Sequence, residues 1–280
     1  MADRLRRLSP GFDHLLAVTL LLVVATILLG VATRSTGAGL ACDANWPLCD
    51  GGILNLFPAT MPSFFEWIHR VVAMVAGLFI VATAWLAFRR PAVGRWVAGA
   101  IVAGAVLTPI QVVLGRETVL TYVPGVLELH FWAAMVIFVL FGAAAAVRWA
   151  GRFGPEHVRW ALLVAAGLVP LHVALSPIVV SQYTPAVQTV QSAVILGLLG
   201  AVILVAVVGV REYVDQRVRS GLSSVIMLTV ALLVMSRQSV MTLSPTVDTV
   251  YLLVAIGLAA ACLSTAWVSR GRQLDGPAPV

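Results

Sequence analysis

Long apolar runs dominate this chain, and each has the length needed to cross a membrane. Stretches of roughly twenty apolar residues recur eight times and are separated by short polar loops. A helix rises about 1.5 Å per residue, so each stretch covers the ~30 Å hydrocarbon core of a bilayer. The pattern predicts an all-α integral membrane protein with eight transmembrane helices, near 14–34, 64–88, 95–115, 125–147, 158–180, 186–210, 220–241 and 246–268.

Charge placement predicts how these spans are oriented in the cell membrane. The chain is 60% hydrophobic and 11% charged, and arginines cluster in every second loop. The positive-inside rule therefore places both termini in the cytoplasm and the loop with Cys42 and Cys49 outside. The net charge of +6 lies in short blocks between spans rather than on one folded face, so nucleic acid is not an expected partner. The first apolar run lacks a small-residue cleavage site, so we expect it to stay as an anchor.

The chain also divides into two halves that resemble each other, 1–150 and 151–280. Residues 116–124 (RETVLTYVP) match residues 237–245 (RQSVMTLSP) in order and spacing. Because each half has an even number of spans, both halves share one orientation. The pattern predicts two duplicated four-helix bundles.

Two histidines in the first half are the main candidates for chemistry. His69 and His130 each lie six or seven residues past a proline at the outer end of a span, which places both at about 10 Å along their helices. An intramembrane imidazole is costly unless it binds something, and a matched pair suits the axial ligands of a haem iron. Packing or pore residues remain the alternative, and zinc is weaker because no further ligands join the pair at ligand spacing.

The second half lacks these histidines. Alignment of the halves sets Gln191 against His69 and Tyr251 against His130. The first half is therefore the expected haem-binding half, and the second is a pseudo-repeat without the histidines.

Three charged side chains accompany the pair. Glu66 lies one helical turn before His69, where a carboxylate can orient an imidazole, carry a proton or simply favour the helix start. Arg70 and Arg116 lie close to the same surface, and both haem propionates and ordinary interfacial positions suit them.

Cys42 and Cys49 share the first outer loop, where a disulfide is the default expectation. The pair either staples the loop or is redox-active, and both interpretations stay open.

These elements together resemble the haem A synthases of the aerobic respiratory chain. The resemblance rests on the glycine-rich loop into Cys42 with Trp46-Pro47-Leu48-Cys49, on the segment Glu66–Arg70, and on residues 114–130, which run from Leu114-Gly115 to His130. It covers most of the first half in the family's order and spacing. The second half matches only in span pattern and loop remnants.

The resemblance implies oxidation of the C8 methyl group of haem O to the formyl group of haem A. On this interpretation His69 and His130 hold the iron of haem O or haem A, Glu66 assists at the reacting carbon, and the cysteine pair maintains the site. It also makes a separate haem b doubtful, because the second pair of histidines is absent. Expected partners are haem O, membrane lipid, an unidentified electron donor, haem O synthase and cytochrome oxidase assembly proteins. A homo-oligomer is left open.

Competing functions are a non-catalytic b-type cytochrome or haem-delivery protein, and a small transporter. The first needs only the two histidines, whereas the second draws on the duplication and expects an unbound polar site at the midplane. Prenyl transfer to haem is disfavoured because the aspartate-rich motifs used with magnesium are absent.

Overall fold

The computed structural model describes residues 10–42, 45–46, 49, 58, 60–121 and 123–271. Across these residues, eight helices are long and apolar enough to cross a membrane. In chain order they are α1 (Pro10–Ser35), α2 (Met61–Arg89), α3 (Arg95–Leu120), α4 (Pro124–Trp149), α5 (Pro155–Ala174), α6 (Pro185–Glu212), α7 (Gln216–Thr242) and α8 (Pro245–Val268). The prediction of an all-α protein with eight spans is confirmed.

Span five shows the largest difference from the predicted boundaries. The apolar pattern runs to residue 180, but α5 ends at Ala174. Pro177 disfavours helical backbone at the residue before it, Ser176. The backbone N–H and the hydroxyl of Ser176 both donate to the carbonyl of Val173, at 2.9 Å and 2.6 Å, which satisfies a carbonyl that has no partner within the helix.

Proline and hydroxyl caps fix where several helices begin. Proline opens α1, α4, α5, α6 and α8, where its missing N–H costs nothing. The Thr60 hydroxyl caps α2 by accepting from the N–H of Ser63 at 3.3 Å. Thr184 caps α6 in the same way at 3.4 Å. The start of a helix determines how far along its axis each later side chain lies, including those of α2 and α4.

Contacts divide the chain into two compact units, Met1–Ala145 and Ala146–Val280. The boundary falls inside α4, a few residues before the division at 150 that the sequence predicts. The duplication itself stays a prediction.

In the first unit, α2 packs along both α1 and α3. The hydroxyls of Thr19 and Thr83 join α1 to α2 through a buried hydrogen bond of 2.8 Å. Helix α4 differs, since its backbone makes no extended close approach to another described helix. It contacts α3 through side chains, with the Phe141 ring against Gly104.

In the second unit, the four helices pack in a closed ring of neighbours. Helix α5 packs against α6 and α8, and α7 also packs against α6 and α8. Each of its four helices therefore has two close neighbours among the described residues. This is the arrangement of a four-helix bundle.

Arginines stack on tryptophans at the C-terminal ends of two helices. Arg89 lies 4.3 Å from the ring centroid of Trp85 at the end of α2, and Arg270 lies 4.6 Å from that of Trp267 after α8. Such pairs combine cation–π attraction with the preference of tryptophan for the membrane interface.

Candidate functional site

His69 and His130 belong to one compact unit. His69 is in the third turn of α2, about 12 Å from the helix start, and His130 is about 9 Å into α4. The regular geometry of both helices therefore brings the two imidazoles to comparable depths, although the residues are far apart in sequence.

The His69 ring lies against α1. A Cβ placed on Gly30 would lie 3.0 Å from Cε1 of His69. The ring also interacts with the backbone carbonyl of Thr26. Its Nδ1 is buried and has no hydrogen-bond partner.

The His130 ring lies against α3 in a similar way. A Cβ on Gly115 would lie 3.1 Å from Cε1 of His130. Gln111, one turn before Gly115, donates from Nε2 to the His130 carbonyl at 3.0 Å, and the same Nε2 lies 3.4 Å from Nε2 of His130. Nδ1 of His130 is buried without a partner. Gln111 was missed by the sequence analysis, although its place four residues before Gly115 puts both on one helix face.

Glu66 joins the loop that contains Cys42 to α2. Its side chain is only 3% exposed, and Oε2 accepts from the backbone N–H of Cys42 at 3.1 Å. Oε1 forms an ion pair with Arg70, one turn later. Arg70 in turn donates to the backbone carbonyl of Asn45 at 2.6 Å. The carboxylate therefore has two partners, one charged, as a buried carboxylate requires.

Cys42 and Cys49 form a disulfide with their Cα atoms 4.7 Å apart. The Ser63 hydroxyl, at the start of α2, donates to the carbonyl of Ala41 at 2.8 Å. Together with Glu66 and Arg70, this bond holds the disulfide loop on the N-terminal end of α2. The tip residues around Trp46 are only partly within the described part of the chain.

Arg116, at the end of α3, pairs with its neighbour Glu117 at 2.6 Å. Its side chain is 46% exposed, so this ion pair contributes little to stability. The exposed guanidinium remains accessible to a second anion.

The second unit places different side chains at the corresponding positions. Gln191 of α6 donates to the backbone carbonyl of His172 at 3.0 Å, and its own carbonyl accepts from the hydroxyl of Tyr183. The His172 ring meets Tyr251 edge-on, with ring centroids 6.1 Å apart. His172 is 3% exposed and Tyr251 is fully buried. His172 was also missed by the sequence analysis, because nothing in its local sequence connects it to Tyr251.

The first-unit pair suits a haem iron better than a bare metal ion. Among the described residues, no group of three or more His, Cys, Asp or Glu is placed to hold a metal ion. A haem needs only axial ligands from the protein, because its macrocycle supplies the others. The unpartnered ring nitrogens, the glycines beneath both rings and the separation of α4 from its neighbours all fit such a group.

Fold and site together define a multi-pass helical membrane protein with an intramembrane histidine pair beneath a disulfide-closed loop. The chain belongs to the COX15-CtaA family, described as cytochrome oxidase assembly protein, which it matches over residues 13–194. That match contains both histidines, Glu66 and the cysteine loop.

Curated relatives carry two kinds of name. A heme A synthase of Bacillus licheniformis is 29% identical over 43% of this chain and 40% of its own length. One from Bacillus pumilus is 31% identical over 45% of this chain and 41% of its own length. A protoheme IX farnesyltransferase of Haloarcula marismortui is 39% identical over 49% of this chain but only 29% of its own length. The chain thus spans less than half of these relatives, and no solved structure matches it.

Proposed function

We propose that this protein is a haem A synthase, a membrane oxidoreductase that converts the C8 methyl group of haem O to a formyl group for cytochrome oxidase. The observation that carries the proposal is the histidine pair, with a buried and unpartnered Nδ1 on each ring. Membership of a cytochrome oxidase assembly family and similarity to proteins named heme A synthase support it.

His69 and His130 would hold the iron of the substrate haem from opposite helices, α2 and α4. The haem supplies the redox chemistry when it is bound. Because α4 makes no extended backbone contact with α1, α2 or α3, a planar macrocycle beside it would displace side chains rather than closely packed backbones. The apolar side chains of the spans would exclude water from the reacting edge.

Glu66 would act at the reacting carbon, one turn nearer the outer surface than His69. Arg70 and the N–H of Cys42 fix the direction of its carboxylate. A held carboxylate is a good candidate for moving a proton at Oε2, because its geometry needs no reorganisation. Arg70 and Arg116 would pair with the haem propionates while keeping their present carboxylate partners.

The disulfide of Cys42 and Cys49 would keep the loop over the site, on the outer face of the cell membrane, with both termini cytoplasmic. Haem O synthase is the proposed partner that supplies substrate. The relative named protoheme IX farnesyltransferase supports this, since most of that enzyme lies outside the matched region.

One observation favours a second candidate, a non-catalytic b-type cytochrome or haem-delivery protein. Glu66 is fully engaged by Arg70 and the Cys42 N–H, and a purely structural clamp would look the same. A carrier needs the histidines but no reacting carboxylate.

Reconstitution with haem O tests the two candidates. The purified protein would be loaded with haem O, supplied with a reductant and oxygen, and its pigment extracted and separated by chromatography. We expect haem A, or the alcohol that precedes it, to accumulate in the wild type and not in His69→Ala. Haem O recovered unchanged from a wild-type sample that binds it would favour the carrier.

A further inference from the structure

The two candidate ligands share a feature that the site chemistry alone does not require. Each imidazole lies directly over a glycine of the preceding helix, His69 over Gly30 and His130 over Gly115. A Cβ at these glycines would lie 3.0 Å and 3.1 Å from the respective Cε1 atoms. These distances are tighter than nine in ten real Cβ contacts, so a larger residue at either glycine requires the ring to shift by a few tenths of an ångström.

Glycine lowers helix stability at both positions. Gly30 and Gly115 lie inside helices, where glycine is less favourable than alanine, so such a glycine usually has a packing reason. Other helical glycines in the same unit vary. A Cβ on Gly104 would lie 2.6 Å from the Phe141 ring, so close packing against a ring also occurs away from the histidines. Nothing lies within 4 Å of a Cβ placed on Gly99, and a Cβ on Gly77 meets only one methyl group at 3.9 Å.

The second unit shows what occupies these positions when the histidines are absent. His69 interacts with the carbonyl of Thr26, and Gln191 at the matching position donates to the carbonyl of His172. Four residues after Thr26 is Gly30, whereas four residues after His172 is Ser176.

The match between residues 116–124 and 237–245 likewise sets Gly115 against Ser236. Both glycines therefore fall against serines in this alignment, although Ser176 lies two residues past the end of α5.

We propose that Gly30 and Gly115 are positioning residues that seat the rings of His69 and His130 and fix where their unpartnered nitrogens point. This inference rests on the proposed function, because it assumes that the two histidines ligate haem. The glycines touch neither the haem nor the reacting carbon in this account; they act through the rings.

Substitution by alanine distinguishes an effect on the position of the histidine ring from an effect on the stability of the fold. Alanine is the better helix former, so Gly30→Ala and Gly115→Ala should leave the unfolding temperature of the haem-free protein unchanged or raised. The added methyl group displaces the ring, and disturbed support of a metal ligand typically weakens binding by roughly tenfold or more. Gly30→Ser should weaken it further.

The experiment measures haem affinity, the optical spectrum and the low-spin electron paramagnetic resonance signal of the full chain. It compares wild type, Gly30→Ala, Gly115→Ala, His69→Ala and the control Gly99→Ala. In Gly30→Ala and Gly115→Ala we expect roughly tenfold weaker haem binding or a shifted low-spin signal. In Gly99→Ala we expect neither change.

Two results would contradict the positioning role of Gly30 and Gly115 without affecting the proposal that His69 and His130 are the ligands. One is wild-type affinity and signal in both alanine variants when His69→Ala loses the haem. The other is a lowered unfolding temperature with wild-type haem binding, because the glycines would then serve helix packing alone. If His69→Ala also keeps the wild-type signal, the ligand assignment and the proposed function fail instead.

Discussion

The two units contain the same number of long helices but close in different ways. In the second unit, α8 packs along both α5 and α7, and Tyr251 of α8 meets His172 at the centre. In the first unit, α4 holds the corresponding position in the order of helices, yet it reaches α3 mainly through side chains. The residue that α4 presents there is His130.

The difference extends to the polar side chains inside each unit. In the second unit, His172, Gln191 and Tyr251 are buried; the His172 ring meets Tyr251 edge-on, and Gln191 donates to the His172 carbonyl. In the first unit, two imidazoles rest on glycines with a ring nitrogen unpartnered on each. Buried polar atoms without partners are costly, and both units contain them, because both ring nitrogens of His172 also lack a partner. The first unit differs in that its imidazoles lie on glycines, one of them on a helix, α4, without extended backbone contact to its neighbours.

The largest expected effect comes from the ligands themselves. His69→Ala or His130→Ala should abolish haem A formation, because either change removes a residue that we propose would hold the haem iron. Gln191→Ala and Tyr251→Phe should leave it at the wild-type level. Extraction of haem from membranes of cells that depend on each variant measures this. Loss of haem A on either second-unit change would break the proposed contrast between the units.

Glu66→Gln should slow the conversion by roughly a hundredfold, the size typical of a lost acid–base group, while haem stays bound. Glutamine retains an oxygen that accepts from the Cys42 N–H but loses the charge that pairs with Arg70. Thiol labelling would check that the Cys42–Cys49 disulfide remains intact.

Gln188→Ala, at the matching position of α6, is the control for Glu66→Gln and should have no effect. Wild-type turnover in Glu66→Gln would remove the carboxylate from the mechanism and leave it as a clamp for the loop.

Replacing both Cys42 and Cys49 by serine should lower the free energy of unfolding of the first unit by about 2–3 kcal/mol, the loop-closure value for a short disulfide loop. Thermal unfolding in detergent measures this, with the buried Cys262→Ala as a second-unit comparison. If the disulfide only staples the loop, turnover per folded chain should persist at low temperature. Unchanged stability would show that Ser63, Glu66 and Arg70 hold the loop without it.

The smallest effect is expected at a hydrogen bond between helices. Thr83→Val removes the partner of Thr19 between α1 and α2 and should cost about 1 kcal/mol. Thr229 in α7 is also buried, but its hydroxyl bonds within its own helix, to Val225. Thr229→Val should therefore cost less, and chemical unfolding curves of the two variants give the comparison. Equal losses would mean that the bond between α1 and α2 adds nothing specific.

Much of this architecture is readable from the sequence because it follows from local rules. Apolar run length predicts the spans, and proline marks the starts of α4 and α8, which fixes the depths of His130 and Tyr251. The ion pair of Glu66 with Arg70 was also readable from their spacing of four residues. The end of α5 was not predicted, because the apolar pattern continues past Pro177.

The environment of the site depends on packing between helices and could not be predicted in the same way. The contacts of Gly30 with His69 and of Gly115 with His130 depend on how closely two helix axes approach, which no single-helix pattern reports. The meeting of His172 with Tyr251 joins residues nearly eighty positions apart. The proposed oxidation of haem O is based on the resemblance and the family match, whereas the geometry supports only the haem-binding histidines.

The ratio of haem to chain in the purified protein tests the central claim most directly. It should be measured for wild type, for a Gln191→Ala/Tyr251→Phe variant and for a His69→Ala/His130→Ala variant, all expressed with haem O available. We expect a single haem per chain in the wild type and in the Gln191→Ala/Tyr251→Phe variant, and none in the His69→Ala/His130→Ala variant. A second haem in the wild type, or a full complement in the variant without His69 and His130, would contradict it.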